Sequence, residues 1–127
     1  MSAQSPEAVH ALLEAAFNAG DLDAFMDIYD DDATLIVPPE GQRVSGRDAI
    51  RAAVQPTLAL RPSAQIEVVE KLQADGLALT HARWSIVATD GGERVEMSGR
   101  GTIVSRRQPD GSWRIVLDNQ LSPEEDR

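Results

Sequence analysis

The sequence predicts an α+β fold, with helices from the first half laid over a curved antiparallel sheet built from the second. Three observations point to it. Apolar residues recur at helical spacing up to Leu58, whereas from Gln65 onward they alternate with polar ones. The alternating stretches are separated by Asp75-Gly76, Asp90-Gly91-Gly92 and Pro109-Asp110-Gly111. Connections this short fit only antiparallel neighbours.

Each element follows from local chemistry. Ser5-Pro6-Glu7 reads as a helix start, and Val9, Leu12, Leu13, Ala16 and Phe17 form one apolar face. Gly20 tolerates the left-handed position that closes this helix, and Asp21 can cap the next. The second helix presents Leu22, Phe25, Met26 and Tyr29, and Asp30-Asp31-Asp32 is expected to stop it. Strand-type residues follow in Ala33–Val37, before Pro38-Pro39 ends the pairing. A third helix begins near Gly46 and carries Ile50, Ala53, Val54 and Leu58, with Pro56 expected to kink or end it. Four strands come next: Gln65–Leu72, Leu77–Ala88, Arg94–Arg107 and Ser112–Leu121. A curved sheet has a concave face, and helices laid across it enclose a cone open at one end.

The length of 127 residues fits one domain spanning 1–127. A formal net charge of -9 argues against nucleic acid or an anionic membrane surface as partner, since both require a basic stripe. The chain has no cysteine, which excludes disulfides, thiolate metal sites and cysteine nucleophiles. No apolar run approaches the roughly twenty residues of a membrane span, and Met1–Glu7 lacks the basic start of a signal peptide. The expected location is cytoplasmic.

The polar residues divide by the face and the spacing that the sequence gives them. His10 neighbours an apolar face that is already complete, so the pattern places it at the surface. His81 alternates with Leu79 and Arg83, away from the Ala82, Trp84 and Ile86 face, and is expected on an outer or dimer face. Asp27, Asp30, Asp31 and Asp32 lack the ligand intervals of a calcium loop and read as a solvated corner. Gly91-Gly92, Gly99 and Gly101 lack the strand–loop–helix order of a phosphate site and read as hairpin and sheet-bend glycines. No metal and no cofactor is implied.

The segments Asn18-Ala19-Gly20-Asp21-Leu22-Asp23, Tyr29, Asp32-Ala33-Thr34, Gly46, Ala49-Ile50 and Gly111–Val116 together resemble the nuclear transport factor 2-like superfamily. Its members include ketosteroid isomerase, the SnoaL-like cyclases and many small proteins of unknown function, and its fold is the cystatin-like roll. The resemblance implies that the cone is a small-molecule pocket and that the opposite sheet face forms a homodimer. It also argues against steroid isomerisation. The positions corresponding to the isomerase's tyrosine and its proton-shuttling aspartate are Leu13 and Val37, and neither can donate or accept a proton. The position of its protonated aspartate falls near Gly101 or Thr102.

Candidate ligand-binding residues on the cone elements are Tyr29, Trp84, Met97, Arg100, Thr102 and Asn119, and the candidate acid/base is Asp118. Phe17 and Met26 could add apolar wall, while Trp113 reads as structural. Only one of Asp118 and Asn119 can face inward in a regular strand. Alternation groups Asn119 with Trp113, Ile115 and Leu117, whereas register against the isomerase puts Asp118 inside. The expected function is binding of a modest organic molecule, with cofactor-independent proton transfer or cyclisation through Asp118; the alternative is a non-catalytic binding or assembly domain.

Overall fold

The computed structural model describes residues 2–37 and 41–122. Three helices precede the long strands. α1 (Pro6–Ala19) is capped by Ser5, whose hydroxyl accepts from the Ala8 N–H, and it ends on Gly20 at φ 65°. α2 (Leu22–Met26) is capped by Asp21, whose carboxylate accepts from the Ala24 N–H. α3 (Arg47–Ala59) follows Gly46 and buries Ile50, Val54 and Leu58. Pro56 does not end that helix: the segment remains helical through Ala59.

The sheet has six strands: β1 (Tyr29–Val37), β2 (Gln42–Ser45), β3 (Ser63–Ala74), β4 (Leu77–Asp90), β5 (Glu93–Arg107) and β6 (Trp113–Ser122). Their order is β2-β1-β6-β5-β4-β3. All neighbours are antiparallel except β1 and β6, which run parallel. The four long strands and their hairpin turns stand where the alternation put them.

The first half differs in two places. β2 is an additional strand, a short polar segment that pairs Thr34–Val37 with Gln42–Ser45. Tyr29 opens β1 instead of closing the second helix, which stops at Met26. Asp30–Asp32 therefore lie within the strand. They do so by leaving the ladder, since Tyr29 pairs with Ile115 and the next register pair is Thr34 with Leu117. The expected stop at Pro38-Pro39 falls outside the described residues.

The core lies between the helices and the concave sheet face, and includes Val9, Leu13, Phe25, Met26, Ile50, Leu58, Ile103 and Ile115. The outermost strand β3 is covered by α1. Asn18 accepts from the Ala64 N–H at 2.7 Å and donates to the Ala64 carbonyl at 3.2 Å, and Glu14 accepts from the Ile66 N–H at 2.6 Å. Backbone groups that would otherwise invite another strand are thereby occupied.

His10 is the clearest departure from the helical pattern. It is 3% exposed, and its Nε2 lies 2.6 Å from Thr80 Oγ1. The reason is that α1 presses a wider face against the sheet than its apolar residues alone define, and Thr80 supplies the polar partner that makes burial tolerable. Loss of water pushes its pKa down to about 4.

Candidate functional site

The concave side of the sheet and the three helices leave a cavity of about 110 Å³. Its deep end is made by buried Phe25, Tyr29, Leu35, Trp84 and Asp118, and its rim by the half-buried Val37, Ala53, Thr57, Ile86 and Met97. Every aromatic residue of the chain except Trp113 lines it. Phe25 stands between Phe17 and Tyr29, with ring centroids 5.3 and 5.1 Å apart.

One polar group dominates the deep end. Tyr29 Oη donates to Asp118 Oδ2 at 2.5 Å, and Gln120 Nε2 donates to Asp118 Oδ1. Asp118 is 2% exposed and Tyr29 1%. Burial raises the Asp118 pKa to about 6, while the donated bonds from Tyr29 and Gln120 oppose the rise. Tyr29 is raised well above its ordinary value, first by burial and then by the adjacent carboxylate. Among the described residues that line the cavity beside Asp118 there is no Lys, Arg or His.

Local structure fixes this group from several sides. Arg47, at the start of α3, donates to the carbonyls of Met26 and Tyr29 at 3.2 and 3.1 Å. The Ile115 N–H donates to the Ile28 carbonyl at 2.8 Å, joining β6 to the residue before Tyr29. Trp84 Nε1 donates to the Gln120 carbonyl at 3.1 Å. Two glycines on β5 leave space for these side chains: a Cβ on Gly99 would stand 3.1 Å from Trp84 Cζ2, and one on Gly101 would stand 2.7 Å from Gln120 Oε1.

The choice between Asp118 and Asn119 is decided by a bulge. Ser105 pairs with Ile115 and the adjacent Val104 pairs with Leu117, so Val116 is the extra residue. Before it, Trp113 and Ile115 point inward; after it, Asp118 and Gln120 do. Simple alternation fails because it assumes an unbroken strand.

Tyr29, Trp84, Met97 and Asp118 are thus brought together at the cavity, with Phe17, Leu13 and Val37 in its walls. Met26 is core and does not line it. Arg100, Thr102 and Asn119, expected in the cone, are on the other face of the sheet. They share an outer groove with Arg43, Glu70, His81 and Leu117. The physical reason is parity: Thr102 pairs with His81 and with Asn119, and paired residues share a face. His81 is on that outer face, as its alternation predicts, with Nδ1 2.9 Å from Thr102 Oγ1. Gln120 was missed, and its signal was its spacing of two from Asp118 opposite a glycine.

The family model for the SnoaL-like domain matches residues 9–116. The chain belongs to this SnoaL-like family. No curated protein sequence matches the chain significantly. Among solved structures, a Thiobacillus denitrificans protein named for the association domain of calcium/calmodulin-dependent protein kinase type II is 26% identical, with TM-score 0.76, covering 96% of this chain and 99% of that one. A ketosteroid isomerase-like protein from Erwinia carotovora atroseptica is 21% identical, with TM-score 0.74 and coverage of 92% and 94%. A nuclear transport factor 2-like family member from Streptomyces avermitilis, named as a dehydratase, is 17% identical, with TM-score 0.72 and coverage of 87% and 88%. The SnoaL-like chain thus has the nuclear transport factor 2-like fold.

Chemically, this SnoaL-like cavity offers one acid/base and apolar walls. Asp118 can take or give a proton near neutrality, and Tyr29 sets its orientation. A lone carboxylate that already accepts two hydrogen bonds does not make up the ligand set of a metal.

Proposed function

We propose that the chain binds a small organic molecule in the cavity and moves a proton at it through Asp118. The observation that carries this reading is the buried Tyr29–Asp118 contact at 2.5 Å on the floor of an apolar cavity. A carboxyl with a pKa of about 6 populates both its protonated and its ionised form near neutral pH, whereas an ordinary exposed aspartate is almost wholly ionised. Leu13 and Val37 in the walls make the steroid isomerase arrangement unsuitable here, so the chemistry rests on one carboxyl rather than on that enzyme's set. The dehydratase and isomerase-like names of two structural neighbours agree with proton transfer as the class.

The test is exchange of solvent deuterium into a panel of small enolisable ketones and aldehydes, followed by mass spectrometry. Wild type should accelerate exchange for at least one compound, and Asp118→Asn should abolish it. Acceleration that survives Asp118→Asn would remove the carboxyl from the mechanism.

A second reading is assembly through the outer sheet face. It is favoured by Leu117, which is 52% exposed beside half-buried Ile36 and Val104, and by the association-domain name of the Thiobacillus neighbour. Such a face suits a two-fold homodimer, because Arg43, Arg100 and Glu70 offer both charges to a second copy. Light scattering should give a dimer mass for wild type and a monomer mass for Leu117→Arg. A monomeric wild type would rule this reading out.

A further inference from the structure

We propose that the cavity is selective for positive charge, and that its preferred ligand class is a small protonated amine with a compact apolar body. This rests on the reading of the cavity as a ligand site and not on catalysis.

Four observations converge. Asp118 is buried, and the lining that faces it contributes no positive charge: Leu13 and Phe17 come from α1, Ala53, Val54 and Thr57 from α3, Ala64 and Ile66 from β3, Trp84 and Ile86 from β4, and Met97 from β5. Tyr29 and Gln120, its immediate neighbours on β1 and β6, are uncharged donors. The charged groups Arg43, Glu70, His81 and Arg100 line the outer groove, which Asp118 also borders, and none of them lines the cavity. The walls are aromatic: Phe17, Phe25, Tyr29 and Trp84 surround the same space.

A buried carboxylate without a counter-charge has already lost its water on folding. A cation that enters therefore gains the Coulomb attraction without again stripping that carboxylate, whereas an anion meets repulsion in a low-dielectric site. Aromatic faces add attraction for an ammonium group that they do not offer to an alcohol. The net charge of -9 draws cations toward the protein and repels anions before contact.

Size sets the second limit. The cavity is about 110 Å³, smaller than the roughly 150 Å³ engineered cavity that accommodates benzene. A five-membered ring or a short branched chain fits the enclosed part, and a fused polycycle does not.

The test holds the carbon skeleton fixed and varies charge: cyclopentylamine, cyclopentanol and cyclopentanecarboxylate, each titrated calorimetrically into the full chain. At about pH 8, where Asp118 is ionised, the amine should bind about ten-fold or more tighter than the alcohol, with no measurable binding of the carboxylate. At about pH 5, where Asp118 takes up its proton, the preference for the amine should fall away. Asp118→Asn should remove the preference at both values. Alcohol binding equal to the amine, carboxylate binding comparable to either, or no binding of any of the three overturns the proposal. Amine selectivity without deuterium exchange leaves the proposal standing and counts against proton transfer. Exchange without amine selectivity does the reverse.

Discussion

Gly101 and Gln120 fit together across β5 and β6 with no room for a methyl group between them. A Cβ on Gly101 would lie 2.7 Å from Gln120 Oε1, closer than such atoms approach. Gln120 Nε2 in turn donates to Asp118, so a backbone atom on β5 governs one of the two bonds that hold the carboxyl.

Gly101→Ala should therefore displace the Gln120 amide from Asp118. Because the bond from Gln120 lowers the Asp118 pKa, its loss should raise that pKa above about 6. Carbon-detected NMR titration of the Asp118 carboxyl checks this. An unchanged midpoint would mean that Gln120 does not hold the group.

Tyr29→Phe removes the other donor and leaves Asp118 Oδ2 without its 2.5 Å partner. The variant should lose about 1–3 kcal/mol at neutral pH, the cost of an unsatisfied buried acceptor, and its Asp118 should titrate above about 6. Urea unfolding and the same NMR titration measure the two effects separately.

His10 and Asp118 should oppose each other in the pH dependence of stability. The His10 pKa falls from 6.5 to about 4 on folding, so its contribution is complete above 6.5 and is lost as pH drops toward 4. The Asp118 pKa rises from 3.8 to about 6, so its contribution is present below 3.8 and is lost as pH climbs through 6. Each is worth about 3 kcal/mol at full extent. Over the shared window, these two contributions should nearly cancel in the wild type. His10→Gln should become more stable as pH falls through the window, and Asp118→Asn less stable. Urea midpoints compared among the three proteins cancel the groups they share; parallel curves would refute the pairing.

Asn18 makes both bonds to the backbone of Ala64 at 2.7 and 3.2 Å, on the outer strand β3. Asn18→Ala should cost about 1–3 kcal/mol by thermal or urea unfolding. It should also speed hydrogen exchange at the Ala64 amide. An exchange rate equal to wild type would show that this edge is protected by something other than Asn18.

Much of the scaffold was legible because helices and long strands leave periodic traces. Val9, Leu13 and Ala16 recur every three to four residues, and Ala78, Thr80, Ala82 and Trp84 every two. β2 was not, because Gln42–Ser45 is four mostly polar residues whose pairing is decided by Thr34–Val37 across the ladder. His10 was misplaced for a related reason: its tolerance of burial depends on Thr80, seventy positions away in the chain. Asp118 and Tyr29 were both identifiable as polar or amphipathic residues on cone elements, but their contact joins β1 to β6 and has no local signature. Asn119 falls on the outer side because the bulge at Val116 resets the alternation of β6, whereas Arg100 and Thr102 do so by plain parity, an odd number of residues from inward-facing Met97 on an unbroken ladder.

The bulge at Val116 absorbs one residue of β6 without exchanging the two sheet faces beyond it. With that one codon deleted, Ile115, Asp118 and Gln120 would alternate regularly onto the concave face, so the carboxyl at the cavity floor survives a one-residue change in strand length. Loss of the bulge at constant length would instead turn Asp118 and Gln120 outward and Leu117 and Asn119 inward. A gap-free alignment between this strand and one without the bulge would therefore compare residues from opposite faces.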